Sequence, residues 1–315
     1  AHLHPQLQAS VVAMLEKQTF SERAVQVILT THSPLLAAGA DPQSLILFSN
    51  GHAFPLAAEH TKLEADDYRF LRRFLDATKA NLFFAKGVLI VEGDAEALLI
   101  PAIAEKLGRQ FTRHGVSVVV VGHTGLFRYA RIFQRQLGKD IPVPVACLTD
   151  RDIPPAAAKP HLTEGRKTDA DLTPTDIAAE VEKRRKPRGG PVEAFVSPFW
   201  TLEHDLARCG LIAEVNRAIY RASHRGQKSR TDLDTAADKD LEALRGRGVS
   251  DEDLAVDVYM PLLKKTASKS ITAEELADII REMDITPEAF GRRIPTYLVE
   301  AIGHVTGSPI FEDTV

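Results

Sequence analysis

Cysteine is nearly absent: Cys147 and Cys209 are the only two in 315 residues. Both lie in apolar surroundings and neither belongs to a Cys-x-x-Cys pair. A disulfide framework or a cysteine-held zinc ion is therefore not expected, and a reducing cytoplasm is the default location. No apolar run is long enough to span a membrane and no secretory leader is visible, so no membrane association is expected. Internal repeats and low-complexity tracts are missing. A strong charge bias is missing too. The formal net charge of −4 does not advertise nucleic-acid binding, yet leaves room for a local basic surface. A Gly-x-x-x-x-Gly-Lys-Ser/Thr phosphate loop occurs nowhere, so this chain by itself is not expected to hydrolyse ATP. What remains is 44% apolar and 26% charged, an ordinary globular composition with length for about two domains. The opening at Ala1 lacks a methionine and reads as mid-domain, so we expect a piece of a longer protein.

Hydrophobic patterning divides the chain. Residues 7–29 pass from helical to strand character, ending in the run Val25, Val27, Ile28 and Leu29. A second strand is expected at 44–48, stopped by the turn signal Asn50-Gly51. An amphipathic helix over 64–80 sets Leu71, Phe74 and Leu75 on one face. From residue 87 the periods alternate: strand 87–91, helix 94–107, valine-rich strand 116–121, helix at about 126–137 and strand 143–148. That alternation predicts an α/β fold with a parallel sheet covered on both faces. Residues 153–191 read as loop with one helix near 174–186, and Phe195-Val196 as a short strand. Residues 202–290 read as helical, with the charged stretch 224–253 looping out and a good amphipathic helix at 272–283. The tail 291–315 suggests an irregular ending.

Two of the strands stop at carboxylates. Gly87-Val88-Leu89-Ile90-Val91 runs into Glu92-Gly93-Asp94-Ala95-Glu96, and Val143-Pro144-Val145-Ala146-Cys147-Leu148-Thr149 runs into Asp150-Arg151-Asp152. Carboxylates at the edge of a core need partners. Glu92 at the strand end and Glu96 in the next helical turn can face one cleft. Asp150 and Asp152, two apart, point the same way if the segment is extended. Magnesium and manganese want such hard oxygen ligands, and two ions about 4 Å apart can hydrolyse a phosphodiester. Either motif alone also reads as a helix cap or a solvated loop charge. In succession on strands of one βα unit they are more specific, and they point to phosphoryl-transfer chemistry.

Val91-Glu92-Gly93-Asp94-Ala95-Glu96 followed by Leu148-Thr149-Asp150-Arg151-Asp152 resembles a Toprim domain, the metal-binding module of topoisomerases, primases and related nucleases. Gly122-His123-Thr124-Gly125-Leu126-Phe127-Arg128-Tyr129 fits the turn such domains carry after their second strand. The additional Glu96 resembles the OLD (overcoming lysogenisation defect) nucleases, which join an ABC-type ATPase to a C-terminal Toprim nuclease. His2-Leu3-His4-Pro5-Gln6-Leu7-Gln8 is similar to the sequence after the Walker B acids of those ATPases, and Thr30-Thr31-His32-Ser33-Pro34 to their switch-histidine motif. His32 would then be a relic of a γ-phosphate sensor, with ATP belonging to a missing N-terminal domain. The resemblance implies a Toprim-like sheet flanked by helices, an added helical domain and an ATPase remnant. Its expected divisions are 1–80 for the remnant and linker, 81–205 for the catalytic core, 206–265 for a helical insertion and 266–315 for the return to the Toprim domain.

Further residues carry over from the resemblance. Phe199-Trp200-Thr201-Leu202-Glu203-His204-Asp205-Leu206 resembles the family's downstream acidic segment, although a helix N-terminus capped by Thr201 also explains it. Glu92, Asp150 and Asp152 would hold one ion. Glu96 and Glu203, with Asp205 as a further member, would hold or orient the second. Lys269, followed by Ala273 and Leu276-Ala277, matches the family's lysine and would stabilise negative charge on phosphorus in the transition state. Lys264 and Lys265 are rivals for that role. The resemblance implies two Mg2+ or Mn2+ ions, nicking and cleavage of double-stranded DNA, a role in phage defence or DNA repair, and homo-oligomerisation through the ATPase domain.

Basic clusters at 183–190, ending in Gly189-Gly190, and at 221–230 could track a phosphate backbone, although a solvated helix end explains each as well. Arg128, Tyr129 and Arg131 are further candidates near the cleft. Two other enzyme readings share the Toprim core. A topoisomerase needs a nucleophilic tyrosine, and the five tyrosines sit in no convincing motif. A primase needs a zinc module, which two cysteines do not supply. A non-catalytic metal-binding regulator of an ATPase is the alternative from another class.

Overall fold

The computed structural model describes residues 4–19, 25–122, 125–186 and 188–311. His2 and Leu3 of the first motif and His123 and Thr124 of the expected turn lie outside the described residues. Strands β1 (Ile46–Ser49) and β2 (His52–Pro55) form an antiparallel hairpin. Its turn residues Asn50 and Gly51 are both left-handed, with φ of 50° and 73°, the conformation that a two-residue hairpin turn demands. Strands β3 (Gly87–Val91), β4 (Val116–Val120), β5 (Val145–Thr149) and β6 (Val192–Val196) form a four-stranded parallel sheet in the order β4-β3-β5-β6.

Near-continuous apolar strands are what a sheet buried on both faces requires. Leu89, Val91, Ala146 and Leu148 turn to one core, whereas Val88, Ile90, Val145 and Cys147 turn to the other. Each fully buried aliphatic side chain is worth roughly 1.5–3 kcal/mol, and the strict alternation pins the register of the central pair.

The helices are α1 (Pro5–Thr19), α2 (Pro34–Gly39), α3 (Ala65–Phe74), α4 (Asp94–Lys106), α5 (Phe111–His114), α6 (Leu126–Arg131) and α7 (Pro174–Arg184) in the first half. Then come α8 (Leu202–Leu206), α9 (Ile212–Ser223), α10 (Arg230–Arg245), α11 (Asp251–Leu263), α12 (Lys269–Glu282), α13 (Pro287–Gly291) and α14 (Thr296–Val305). Helices α4, α9, α11, α12 and α14 pack on the Leu89 face, through residues such as Ile103, Ile219, Tyr259, Leu276 and Ile302. Helices α3 and α6 and the hairpin cover the Val88 face, through Tyr68, Leu71, Tyr129 and Phe54. Among the described residues no helix is long and apolar enough to cross a membrane.

Several expectations are corrected. The run Val25–Leu29 forms no strand; it is exposed and has no ladder partner among the described residues. A β-branched run becomes a strand only where a neighbour supplies backbone partners. The stretch 224–253 does not loop out. It contains α10, capped by Ser229 and anchored by long-range ion pairs, Arg217 to Asp238 at 2.8 Å and Arg221 to Asp234 at 2.7 Å. The tail is not irregular over 296–305: Leu298, Ala301, Ile302 and Val305 form the buried stripe of α14.

Candidate metal centre

The parallel pairing of β3 with β5 matches Ile90 to Cys147, so both strands end at the same edge of the sheet. Two residues further on, the Thr149 hydroxyl donates to Glu92 Oε1 at 2.5 Å. Glu96, in the first turn of α4, curls back over Gly93. A Cβ on Gly93 would lie 3.1 Å from Glu96 Oε2, so any larger residue there would displace that carboxylate.

Glu203 is brought in by α8. The loop before that helix is zipped to the end of β5: Ser197 N–H donates to the Thr149 carbonyl at 3.0 Å, Arg151 N–H to Ser197 Oγ at 3.0 Å, and Asp152 N–H to the Trp200 carbonyl at 3.2 Å. Thr201 occupies the cap position of α8 without a side-chain cap bond. The first N–H of the helix, on Leu202, instead donates to Asp150 Oδ1 at 3.0 Å. Asp150 therefore caps a helix 52 residues away, which holds Glu203 beside it. The Glu203 side chain is 3% exposed, and Lys269 Nζ at the start of α12 donates to its Oε2 at 3.2 Å. Lys264 and Lys265 are exposed and pair with none of the acids.

The electrostatics are crowded. Burial raises the Asp150 carboxyl well above the ordinary aspartate value, and the charges of Glu203, Glu96 and Asp152 add to the rise while Lys269 opposes it. Glu96 is raised by burial and by Glu203 and Glu92. Burial alone would lower Lys269, but Glu203, Tyr259 and Asp150 together outweigh it and leave the amine well above the usual lysine value. Tyr297, on α14, lines the same crevice with Glu96, Thr149 and Asp150. Burial and the surrounding carboxylates hold its phenol protonated, as a neutral donor. Sequence reasoning missed Tyr297 because it treated the tail as irregular. The apolar i, i+3, i+4 spacing of Leu298, Ala301, Ile302 and Val305 was the available signal.

Two expected ligands behave differently. Asp152 is left-handed, with φ of 59°, so the segment is not extended and its side chain does not follow Asp150. It turns outward, 50% exposed, to an ion pair with Arg184 at 3.4 Å. Asp205 is a clamp for the preceding turn. Its oxygens accept from Phe199 N–H at 3.2 Å and Trp200 N–H at 2.9 Å, and Oδ1 also meets His204 Nδ1 at 3.1 Å. Those contacts engage both oxygens in holding the turn before α8.

The expected DNA contacts divide as well. Arg221 and Arg230 are spent on Asp234, Glu275 and Asp278, at 2.7 to 3.4 Å. Arg131 is spent on Asp67 at 2.7 Å, Arg128 stacks 4.6 Å above Phe70, and Tyr129 is buried. In the cluster at 183–188, Arg184 comes up against Asp152, while Arg185 and Lys186 are exposed beside it. Pro187 lies outside the described residues.

Among the described residues, no three His, Cys, Asp or Glu side chains are disposed so as to hold an ion as they stand. The donor set nonetheless suits a hard divalent cation. Glu92, Glu96, Asp150 and Glu203 offer only oxygen, they repel one another, and Lys269 is a cation placed among them.

Residues 83–152 match the family model described as overcoming lysogenization defect protein-like, TOPRIM domain. Residues 1–38 match a model described as AAA domain, putative AbiEii toxin, Type IV TA system. Among solved structures, the C-terminal region of the Xanthomonas campestris pv. campestris OLD protein is similar at 25% identity and a TM-score of 0.42, over 72% of this chain and 94% of that one. The C-terminal region of the Burkholderia pseudomallei OLD protein is similar at 26% identity and a TM-score of 0.42, over 71% of this chain and 98% of that one. Comparison with curated proteins yields no match. With its acids at one edge of a parallel sheet and a stretch at 1–38 that matches an AAA domain, this chain carries an OLD-like Toprim domain over residues 83–152.

Proposed function

We propose that the chain is the nuclease part of an OLD-type protein and hydrolyses phosphodiester bonds of duplex DNA with the help of Mg2+ or Mn2+. The observation that carries this reading is the convergence of Glu92, Glu96, Asp150, Glu203 and Lys269, from separate segments of the chain, at one edge of the sheet. The match of residues 83–152 supports it.

Glu92 and Asp150, joined by Asp152 once its side chain turns in from Arg184, are the residues to hold one cation, and Glu96 and Glu203 the residues to hold a second. Bound there, such ions supply activation of the attacking water and stabilisation of the leaving oxygen. The chain's own groups do the positioning. Thr149 orients Glu92, and the Asp150 contact to Leu202 fixes the distance between β5 and α8. Lys269 stays charged throughout the neutral range and offers its ammonium to the negative charge that builds on phosphorus. Tyr297, kept protonated, can donate a hydrogen bond to a phosphate oxygen or a water but cannot act as a base near neutral pH.

A plasmid-nicking assay tests the reading. Supercoiled DNA is expected to be nicked and then linearised with Mn2+ or Mg2+, and left intact with EDTA or with Asp150→Ala. Mn2+ binding without strand cleavage would favour the non-catalytic regulator, and relaxed closed circles would favour a topoisomerase.

A further inference from the structure

Arg184 lies in the last turn of α7. Its guanidinium stands 3.4 Å from Asp152 Oδ2 and 3.6 Å from Glu180 Oε1, while its Nε is buried with no partner. The side chain is 23% exposed, at the border between the acid cluster and solvent. The backbone of Asp152 is held on both sides: its N–H donates to the Trp200 carbonyl at 3.2 Å, and its own carbonyl accepts from Arg166 at 3.2 Å. Only the Asp152 side chain is left to move.

Arg184 thus occupies a carboxylate that the nuclease reading assigns to a cation. A guanidinium and a divalent ion compete for the same oxygens. Once an ion sits there, the positive charge of Arg184 is repelled from it rather than attracted. The released fork has five N–H donors, a geometry that matches a phosphate in two-point contact. Exposed Arg185 and Lys186 follow it on the same helix end, so a strand lying across the cluster would meet that cationic edge.

We propose that Arg184 is a substrate-binding residue held in reserve, paired with Asp152 before the cation arrives and transferred to a phosphate of the DNA backbone when the cation takes Asp152. This rests on the nuclease reading and adds that cation and DNA affinity are coupled through one side chain. Coupling of this kind is reciprocal, and its usual size is about 5- to 150-fold.

The test uses the whole chain, with no turnover required. Mn2+ binding is measured by titration calorimetry without DNA. Binding of a nuclease-resistant phosphorothioate duplex is measured by fluorescence anisotropy in EDTA and in Mn2+. Wild type is expected to bind DNA at least about fivefold tighter in Mn2+ than in EDTA. Arg184→Gln is expected to bind Mn2+ tighter than wild type, having lost the competitor, yet to lose most of the Mn2+-induced gain in DNA affinity. Asp152→Asn, which frees Arg184 without a cation, is expected to raise DNA affinity in EDTA, and Asp152→Asn/Arg184→Gln to cancel that rise. Unchanged Mn2+ affinity in Arg184→Gln, or a full Mn2+-induced gain in that variant, overturns the proposal while leaving the nuclease reading intact. If wild type binds no Mn2+ at all, both fall together.

Discussion

Replacing Asp150 with asparagine should make the cation-free protein more stable, although Asp150 is the central carboxylate of the site. Its Oδ1 accepts the Leu202 N–H at 3.0 Å, and an asparagine amide oxygen can accept the same bond. What the substitution removes is a buried negative charge that faces Glu203, Glu96 and Asp152. Relief of this kind at a functional site commonly yields about 0.5–2 kcal/mol. For a chain of this length, about 1 kcal/mol corresponds to a rise of roughly 2 °C in melting temperature. Asp150→Ala loses the cap as well and should lie about 1 kcal/mol below the asparagine variant.

The pH dependence follows from the direction of the shift. The folded-state value of Asp150 is raised, so between the ordinary aspartate value and that raised value the folded protein binds more protons than the unfolded chain. Wild-type stability from this group therefore falls as pH rises through that window, and the advantage of Asp150→Asn grows with it. Mn2+ should reverse the order. At about a hundredfold excess over its dissociation constant, the ion stabilises wild type by ~2.7 kcal/mol, and it should do little for the asparagine variant. Urea denaturation of wild type, Asp150→Asn and Asp150→Ala, in EDTA and in Mn2+ from acid to mildly alkaline pH, measures all of this. An asparagine variant less stable than wild type in EDTA at alkaline pH, or a gap that does not change with pH, would refute the electrostatic reasoning.

Lys269→Met should abolish nicking while Mn2+ binding persists. It should also lower cation-free stability by about 2 kcal/mol, less than the ~3–5 expected for a fully buried pair, because the lysine side chain is 46% exposed; nicking, calorimetry and urea denaturation read these separately. Arg221→Ala should cost about 3 kcal/mol, since Arg221 is 7% exposed and holds Asp234 at 2.7 Å and Glu275 at 3.4 Å across α9, α10 and α12; a double-mutant cycle with Asp234→Ala isolates the pair. Gly87→Ala should be among the most damaging small changes, at about 3 kcal/mol or more, because its Cβ would lie 2.0 Å from the Val305 carbonyl oxygen; a lowered urea midpoint with unchanged slope is the expected signature.

Much of the sheet was legible before the structure. Strand 87–91 is found as expected, and the acids after β3 and β5 do share one edge. Apolar runs buried on both faces leave a strong local signature, and parallel pairing puts their ends together. Lys269 stood apart from Lys264 and Lys265 in the sequence only through the family resemblance, and its contact with Glu203 lies 66 residues away. The charged stretch containing α10 read as loop because its partners, such as Arg217 and Arg221, lie outside it in the chain. Asp205 and Asp152 have the right residue type for ligands, but a carboxylate looks the same in a sequence whether it binds an ion, a backbone amide or an arginine.

The amino-acid sequence by itself determined where the strands of the Toprim sheet run and that acids follow two of them, because hydrophobic period and turn residues act over a few positions. Tertiary structure alone decided which acids keep company. It set Asp150 as the cap of α8, drew Glu203 to Lys269, and turned Asp152 to Arg184 and Asp205 to the Phe199–Trp200 backbone. Those choices are set by hydrogen bonds and charges that meet only after distant segments pack, and no local pattern encodes them.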